Sequence, residues 1–190
     1  MVASAIFGSS APHARRFPPV TTYIALLRAV NVGGTGKLPM ADLRALCEKA
    51  GFTDVRTYIA SGNVVFTSTL TAPKALVTLE AALVKRLDKA PQVLIRTASE
   101  LEAVIAANPF PEAEPNRLIV VFLSREESAT VLDGWKIPGR ERLALVGREL
   151  FIHYPDGMGQ SKLKVPFADQ GTARNLNTVR ALLEMARAEG

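Results

Sequence analysis

The sequence predicts an α+β fold in which a β-α-β-β-α-β unit is followed by a related second half, the two packed as one compact protein. Three observations lead there: short apolar runs rich in strand formers, helix-spaced apolar stripes between them, and glycine, proline or asparagine at most junctions. With 190 residues, 48% of them apolar, the chain can bury one large core or two small ones.

Residues 22–27 form the first predicted strand, followed by a glycine-rich loop over residues 31–37. Pro39 suits the first turn of a helix, where its missing N–H costs nothing. Met40, Leu43, Leu46, Cys47 and Ala50 then recur at helical spacing, and Gly51-Phe52 marks the helix end. Residues 55–59 and 63–67 read as strands joined by the turn Ala60-Ser61-Gly62. Pro73 opens a second helix with Leu76, Leu79, Leu83, Val84 and Leu87 on one face, and residues 92–96 form a fourth strand. This order is the split arrangement of a ferredoxin-like unit, whose two helices cover one face of the sheet.

The second half reads similarly. Ser99 with Glu102 has capping-box spacing before Leu101, Val104 and Ile105, and Asn108-Pro109 ends that helix. Residues 118–123 are continuously apolar, as in a central strand. Ser124 with Glu127 is expected to cap a short helix reaching about Asp133, with Trp135 as a core or interface anchor. Residues 143–146 and 150–154 form a hairpin around Gly147-Arg148. A final helix is expected from about Ala173, with Thr172 as N-cap and Val179, Leu182, Leu183 and Ala186 on its apolar face. The chain thus divides into an arm (1–20), a first ferredoxin-like subdomain (21–110) and a second with the C-terminal helix (111–190).

Composition narrows the chemistry. The single cysteine, Cys47, rules out an intramolecular disulfide and is read as a buried structural thiol. One cysteine with two histidines, His13 and His153, does not furnish a Cys/His zinc site, so no metal and no cofactor are expected. No apolar run reaches the roughly 20 residues of a membrane-spanning helix, and residues 1–20 lack a secretory signal pattern, so no membrane partner is expected and the location is read as cytoplasmic. Arg15 and Arg16 supply two of the five net positive charges, and the rest are interleaved with acids, as for a local basic site rather than a nucleic-acid stripe.

The loop at residues 31–38 reads N-V-G-G-T-G-K-L. A phosphate-binding P-loop needs a glycine where Asn31 stands and a hydroxyl where Leu38 stands, which argues against nucleotide hydrolysis. Anion holding by backbone N–H groups of Gly33 and Gly34, with Lys37 and Arg28 adding charge, is compatible with it, as is a plain tight crossover turn. Ser61-Gly62-Asn63 is a second polar turn. Ser161-Lys162 is not a nucleophile–base pair, because neighbours on an extended chain point apart. Arg174, followed by Asn175, opposes the usual preference for acids in a first helical turn and fits an anion site there equally well.

Four stretches taken together make the chain similar to the bacterial domain-of-unknown-function family 1697. They are Tyr23-Ile-Ala-Leu-Leu-Arg-Ala-Val-Asn-Val-Gly-Gly34, Thr57-Tyr-Ile-Ala-Ser-Gly-Asn-Val-Val-Phe66, Gly159-Gln-Ser-Lys-Leu163 and Gly171-Thr-Ala-Arg-Asn175. The resemblance runs over about residues 22–183 and implies two interlocked ferredoxin-like subdomains, with no catalytic assignment to carry over. The family often has tryptophan after the Arg-Asn pair, where this chain has Leu176.

The expected function is a binding module for an anionic, phosphate-bearing ligand, such as a phosphorylated small molecule or nucleotide. Its cleft between the halves would be lined by Arg28, Asn31, Gly33, Gly34, Lys37, Ser61, Asn63, Ser161, Lys162, Arg174 and Asn175. One alternative is a metal-independent enzyme with Lys37 or Lys162 as acid or base and Arg28 or Arg174 stabilising an oxyanion. Another is a structural or partner-binding protein in which Arg28, Asn63 and Arg174 are consumed internally. Nucleic acid is weakly supported, since Tyr58 and Phe66 alone do not make an aromatic RNA-binding motif. Oligomeric state and physiological process are open at this level.

Overall fold

The computed structural model describes residues 19–31, 37–87, 91–164, 166 and 170–188. His13, Arg15, Arg16, Gly33 and Gly34, and residues 1–18 of the arm expected at 1–20, lie outside the described residues.

Two four-stranded antiparallel sheets organise the chain, each with the ferredoxin-like strand order. The first holds β1 (Thr21–Leu27), β2 (Thr53–Tyr58), β3 (Asn63–Ser68) and β4 (Val93–Thr97) in the order β2-β3-β1-β4. The second holds β5 (Leu118–Leu123), β6 (Arg142–Val146), β7 (Glu149–His153) and β8 (Gly171–Asn175) in the order β6-β7-β5-β8. Both central strands, β1 and β5, are the apolar runs of the sequence, as strands covered on both faces require.

Alternation along β1 sorts its side chains between two cores. Tyr23, Ala25 and Leu27 face α1 (Met40–Lys49) and α2 (Ala72–Val84), whose Leu43, Cys47, Leu79 and Leu83 are fully buried against them. Ile24 and Leu26 face the other way, into a core shared with Val120, Phe122 and Phe151 of the second sheet. Two further helices close this shared core, α3 (Ala98–Ala106) and α4 (Leu176–Arg187), with Leu101, Val104, Val179 and Leu182 buried in it. They pack on each other, and α4 also lies on β1 and β3, so the second half covers the first.

Several expectations are corrected. The final helix begins at Leu176, capped by Asn175, because residues 171–175 pair with β5 as the strand β8; Thr172 is no N-cap and Arg174 is in no helix. The capping box before α3 is Thr97 with Glu100, two residues ahead of the Ser99–Glu102 pair of identical spacing. The helix expected after Ser124 is a single 3-10 turn, Ala129–Leu132, capped by Ser128. Trp135 is 39% exposed and anchors no core; its indole N–H donates to Lys164 O at 3.0 Å.

Another single 3-10 turn, Met158–Gln160, occupies the place between β7 and β8 that α2 holds between β3 and β4. The outer face of the second sheet is therefore covered by loop residues such as Leu132 and Leu163 where the first sheet has two helices.

Cys47 sits in the outer core, where burial pushes its thiol up to about 12. The unfolded chain then loses this proton first as pH rises, so the group contributes no change below the ordinary cysteine range and withdraws stability between there and about pH 12. At pH 8 a thiol-specific reagent should modify the folded protein about 1000-fold more slowly than the urea-unfolded chain. Equal rates would show that Cys47 is accessible in the native state.

Candidate functional site

β8 carries a guanidinium into the junction between the sheets. Arg174 lies opposite Val120 in the β5–β8 ladder and is 8% exposed. Its Nε donates to Asn63 Oδ1; its Nη1 donates to Thr172 Oγ1 and Ala173 O, both at 2.8 Å. Its Nη2 donates to Leu27 O at 2.9 Å and Ser61 O at 3.0 Å. All five N–H donors of the group are thereby used, three of them on the first half. Asn63 is fully buried and returns its own N–H groups to Tyr58 O and Ser61 Oγ, each at 3.0 Å.

The β2–β3 turn reaches this guanidinium because Gly62 has φ +76°, and a Cβ there would stand 2.9 Å from Leu27 Cβ. At the start of β8, a Cβ on Gly171 would stand 2.5 Å from Phe122 O. Beside the turn, Asn31 accepts from Leu38 N at 2.8 Å and donates to Leu38 O and Ala60 O at 2.8 and 2.9 Å. Three of the four family-like stretches thus meet around Arg174.

A second arginine makes the same contacts in reverse. Arg96 lies opposite Ile24 in the β1–β4 ladder, as Arg174 lies opposite Val120. Arg96 Nη2 donates to Leu123 O at 2.9 Å, and Leu123 follows Val120 by the three positions that separate Leu27 from Ile24. Its second acceptor is Glu149 Oε1, at 3.0 and 3.2 Å, and Glu149 pairs with Phe122 in the register where Asn63 pairs with Leu26. The halves are related by a pseudo-twofold axis, and each sends one arginine across it.

The two clasps differ in charge. Arg96 is 2% exposed with the Glu149 carboxylate on it, and the Phe122 ring lies 5.7 Å from its guanidinium carbon. Burial lowers its pKa and Glu149 opposes that. Arg174 has an amide, Asn63, in place of the carboxylate, and no acid pairs with it among the described residues. Desolvation alone brings it down to about 10, so it remains a cation at neutral pH.

The expected site residues separate accordingly. Ser61, Asn63, Asn31 and Arg174 meet at the junction through hydrogen bonds that stabilise the fold. Asn175 caps α4, accepting from Thr178 N at 2.8 Å. Arg28, half-buried, follows Leu27 directly; its side chain has no partner among the described residues, and neither has that of exposed Lys37. Ser161 and Lys162 lie apart, in a cavity beyond the end of the β6–β7 hairpin with Glu141 and Tyr154. The nine of the expected site residues that are described do not line one cleft. Sequence reading missed Arg96 and Glu149, whose only signal is their register equivalence to Arg174 and Asn63.

The family model described as "Protein of unknown function (DUF1697)" matches residues 20–151. That range contains the first two family-like stretches and ends within β7, ahead of Ser161 and Arg174. The solved structure of conserved bacterial protein SP0830 from Streptococcus pneumoniae is similar in fold, with a TM-score of 0.75 at 24% identity over 89% of this chain and 100% of that one. No curated protein matches the sequence.

Removing Arg174 strands the carbonyls of Leu27 and Ser61 and the Asn63 amide in a buried junction. Arg174→Ala should lose about 3 kcal/mol or more of unfolding free energy in urea titration. Arg174→Lys, which keeps the charge but not the planar fork, should lose at least about 2 kcal/mol. A loss within about 0.5 kcal/mol for either would mean that the clasp does not hold the halves together.

Proposed function

We propose that this chain, which belongs to the DUF1697 family of proteins of unknown function, is a binding module for an anionic, phosphate-bearing ligand. The ligand would be held beside the β2–β3 turn and β8, near Arg28 and Asn31. A single contrast supports this: Arg174 is a buried cation without a carboxylate, whereas its pseudo-twofold counterpart Arg96 has Glu149. An uncompensated charge under a surface attracts anions to it by about 1–2 kcal/mol at 10 Å, for an effective dielectric of about 20.

Direct contacts would come from elsewhere, since every donor of Arg174 is already used. Arg28 is one residue from the Leu27 carbonyl that Arg174 holds, and Lys37 is one residue from the Leu38 backbone that Asn31 holds. Both are cations with no acidic partner among the described residues. The first turn of α1 follows soon after Lys37 and has no side-chain cap, which leaves its N–H groups available to an anion. Its one acid, Asp42, is engaged by Arg86 at 3.0 Å. A phosphorylated metabolite or nucleotide as ligand goes with a cytoplasmic, bacterial setting. No helix among the described residues is long and apolar enough to cross a membrane.

The saturation of Arg174, Asn63 and Asn175 by internal hydrogen bonds favours a second reading, in which these motifs only join the halves and the protein serves a partner. The enzyme reading has less behind it, because Lys37 and Lys162 are both exposed. RNA stacking on the first sheet has little support too, with Phe66 buried and stacked on Phe52 at 4.2 Å and Tyr58 packed against the shared core.

A thermal-shift screen against phosphorylated metabolites, nucleotides and short RNA separates these readings. At least one phosphate-bearing compound should raise the melting temperature, and the gain should vanish in Arg28→Ala and Lys37→Ala while Arg140→Ala keeps it. A flat response across the panel, or a gain untouched by both substitutions, would favour the partner reading.

A further inference from the structure

The fourth family-like stretch, residues 159–163, plays no part in the Arg174 junction. It lines a cavity of about 270 Å³ at the open end of the β6–β7 hairpin, facing the segment just ahead of β6. Cavities for drug-sized ligands run from about 300 Å³ upwards, so this one suits a molecule of about ten non-hydrogen atoms.

The charges in its wall do not all cancel. Arg140 and Asp156 form an ion pair at the rim and neutralise each other. Glu141 and Lys162 are left. Glu141 Oε1 accepts from Ser161 Oγ, and that serine oxygen is itself fixed by Leu163 N at 3.0 Å. The second carboxylate oxygen, Glu141 Oε2, is buried with no hydrogen-bond partner. A side chain on Gly139 would bring a Cβ within 2.8 Å of that oxygen, so the glycine leaves the carboxylate its place. The bond from Ser161, helped by the backbone N–H groups of Glu141 and Gly139, holds Glu141 below the usual carboxylate range, and it is ionised at neutral pH. That second oxygen keeps its accepting capacity for a ligand N–H.

Two more groups complete the wall. Tyr154 is 3% exposed, and its hydroxyl has no protein partner among the described residues. Lys162 is exposed and likewise unpartnered. A purely anionic ligand would meet the Glu141 carboxylate. Among the described residues no group of His, Cys, Asp and Glu is placed to hold a metal ion. One acid and one base across a small cavity complement a molecule carrying both charges.

We propose that this cavity binds a small zwitterion, a free α-amino acid or a close relative. Its ammonium donates to Glu141 Oε2, its carboxylate lies towards Lys162, and the Tyr154 hydroxyl offers a third contact. The site is separate from the one around Arg28 and stands or falls without it.

The test is titration of the isotope-labelled full chain with each of the common L-amino acids at millimolar concentration, followed by amide NMR. At least one amino acid should shift the amides of Gly157, Ser161 and Lys162. Its affinity should fall about tenfold or more in Glu141→Gln, and equally when the hydroxy acid lacking the amine replaces it. Should Glu141→Gln not fold, Lys162→Ala decides: it should weaken the amino acid about tenfold and leave the decarboxylated amine unaffected. Binding in Arg28→Ala should match the parent. The proposal is overturned if no amino acid shifts these amides, if the hydroxy acid binds as well as the amino acid, or if the deciding variant binds like the parent.

Discussion

The arrangement of this protein depends on what becomes of two backbone carbonyls. Leu27 and Leu123 end the central strands of their sheets and face each other's half, where water cannot serve them. Each is met by an arginine from the edge strand of the opposite sheet, Arg174 for Leu27 and Arg96 for Leu123. The planar fork of arginine reaches a strand carbonyl and a neighbouring side chain at once, which the single ammonium of lysine does not. Once both clasps are closed, the sheets have one separation and one register. The shared core of Ile24, Leu26, Val120 and Phe122 then has a fixed space to fill.

The symmetry that relates the clasps is broken in two ways. One clasp is an ion pair and the other is a cation held only by dipoles. Burying an arginine on amide and carbonyl oxygens leaves more desolvation unrecovered than burying it against a carboxylate, as the drop in the Arg174 pKa to about 10 reflects. The other break is in the outer layer: α1 and α2 cover the first sheet, while two 3-10 turns and their loops cover the second. A glutamate at position 63 would have removed the first asymmetry, but the buried amide N–H groups that hold Tyr58 O and Ser61 Oγ would be lost with it.

Sequence reading captured what local physics writes locally. Strands β1 and β5 are continuous apolar runs and α1 and α2 are periodic stripes, legible to within a residue or two except that α2 stops at Val84, which is exposed, short of the expected Leu87. The ferredoxin-like order followed from the same features, and the family from four glycine-containing stretches taken together. β8 was missed because Gly171-Thr-Ala-Arg-Asn175 has neither an apolar run nor alternation, and its one large side chain is spoken for by carbonyls some 110 or more positions away in the chain. The capping box slipped because Thr97–Glu100 and Ser99–Glu102 have the same spacing, and only the end of β4 chooses between them. Arg28 and Lys37 remain candidates, whereas Asn63, Arg174 and Asn175 were noticed for the right reason, unusual polarity, and proved to hold the fold. Glu141 and Tyr154 carry no pattern at all; a cavity wall is made by segments that the chain brings together only when folded.

The packing of α4 on β1 and β3 also orders events during synthesis. The first sheet is complete in sequence at Thr97, with its outer face already closed by α1 and α2. Its inner face keeps Ile24, Leu26 and Val65 short of part of their cover until residues 176–187 have been made. For that interval the nascent chain presents a finished sheet with one apolar side and an unanswered carbonyl at Leu27, a surface suited to a chaperone or to another nascent chain. Maturation is therefore a late, long-range event that the first half cannot complete on its own.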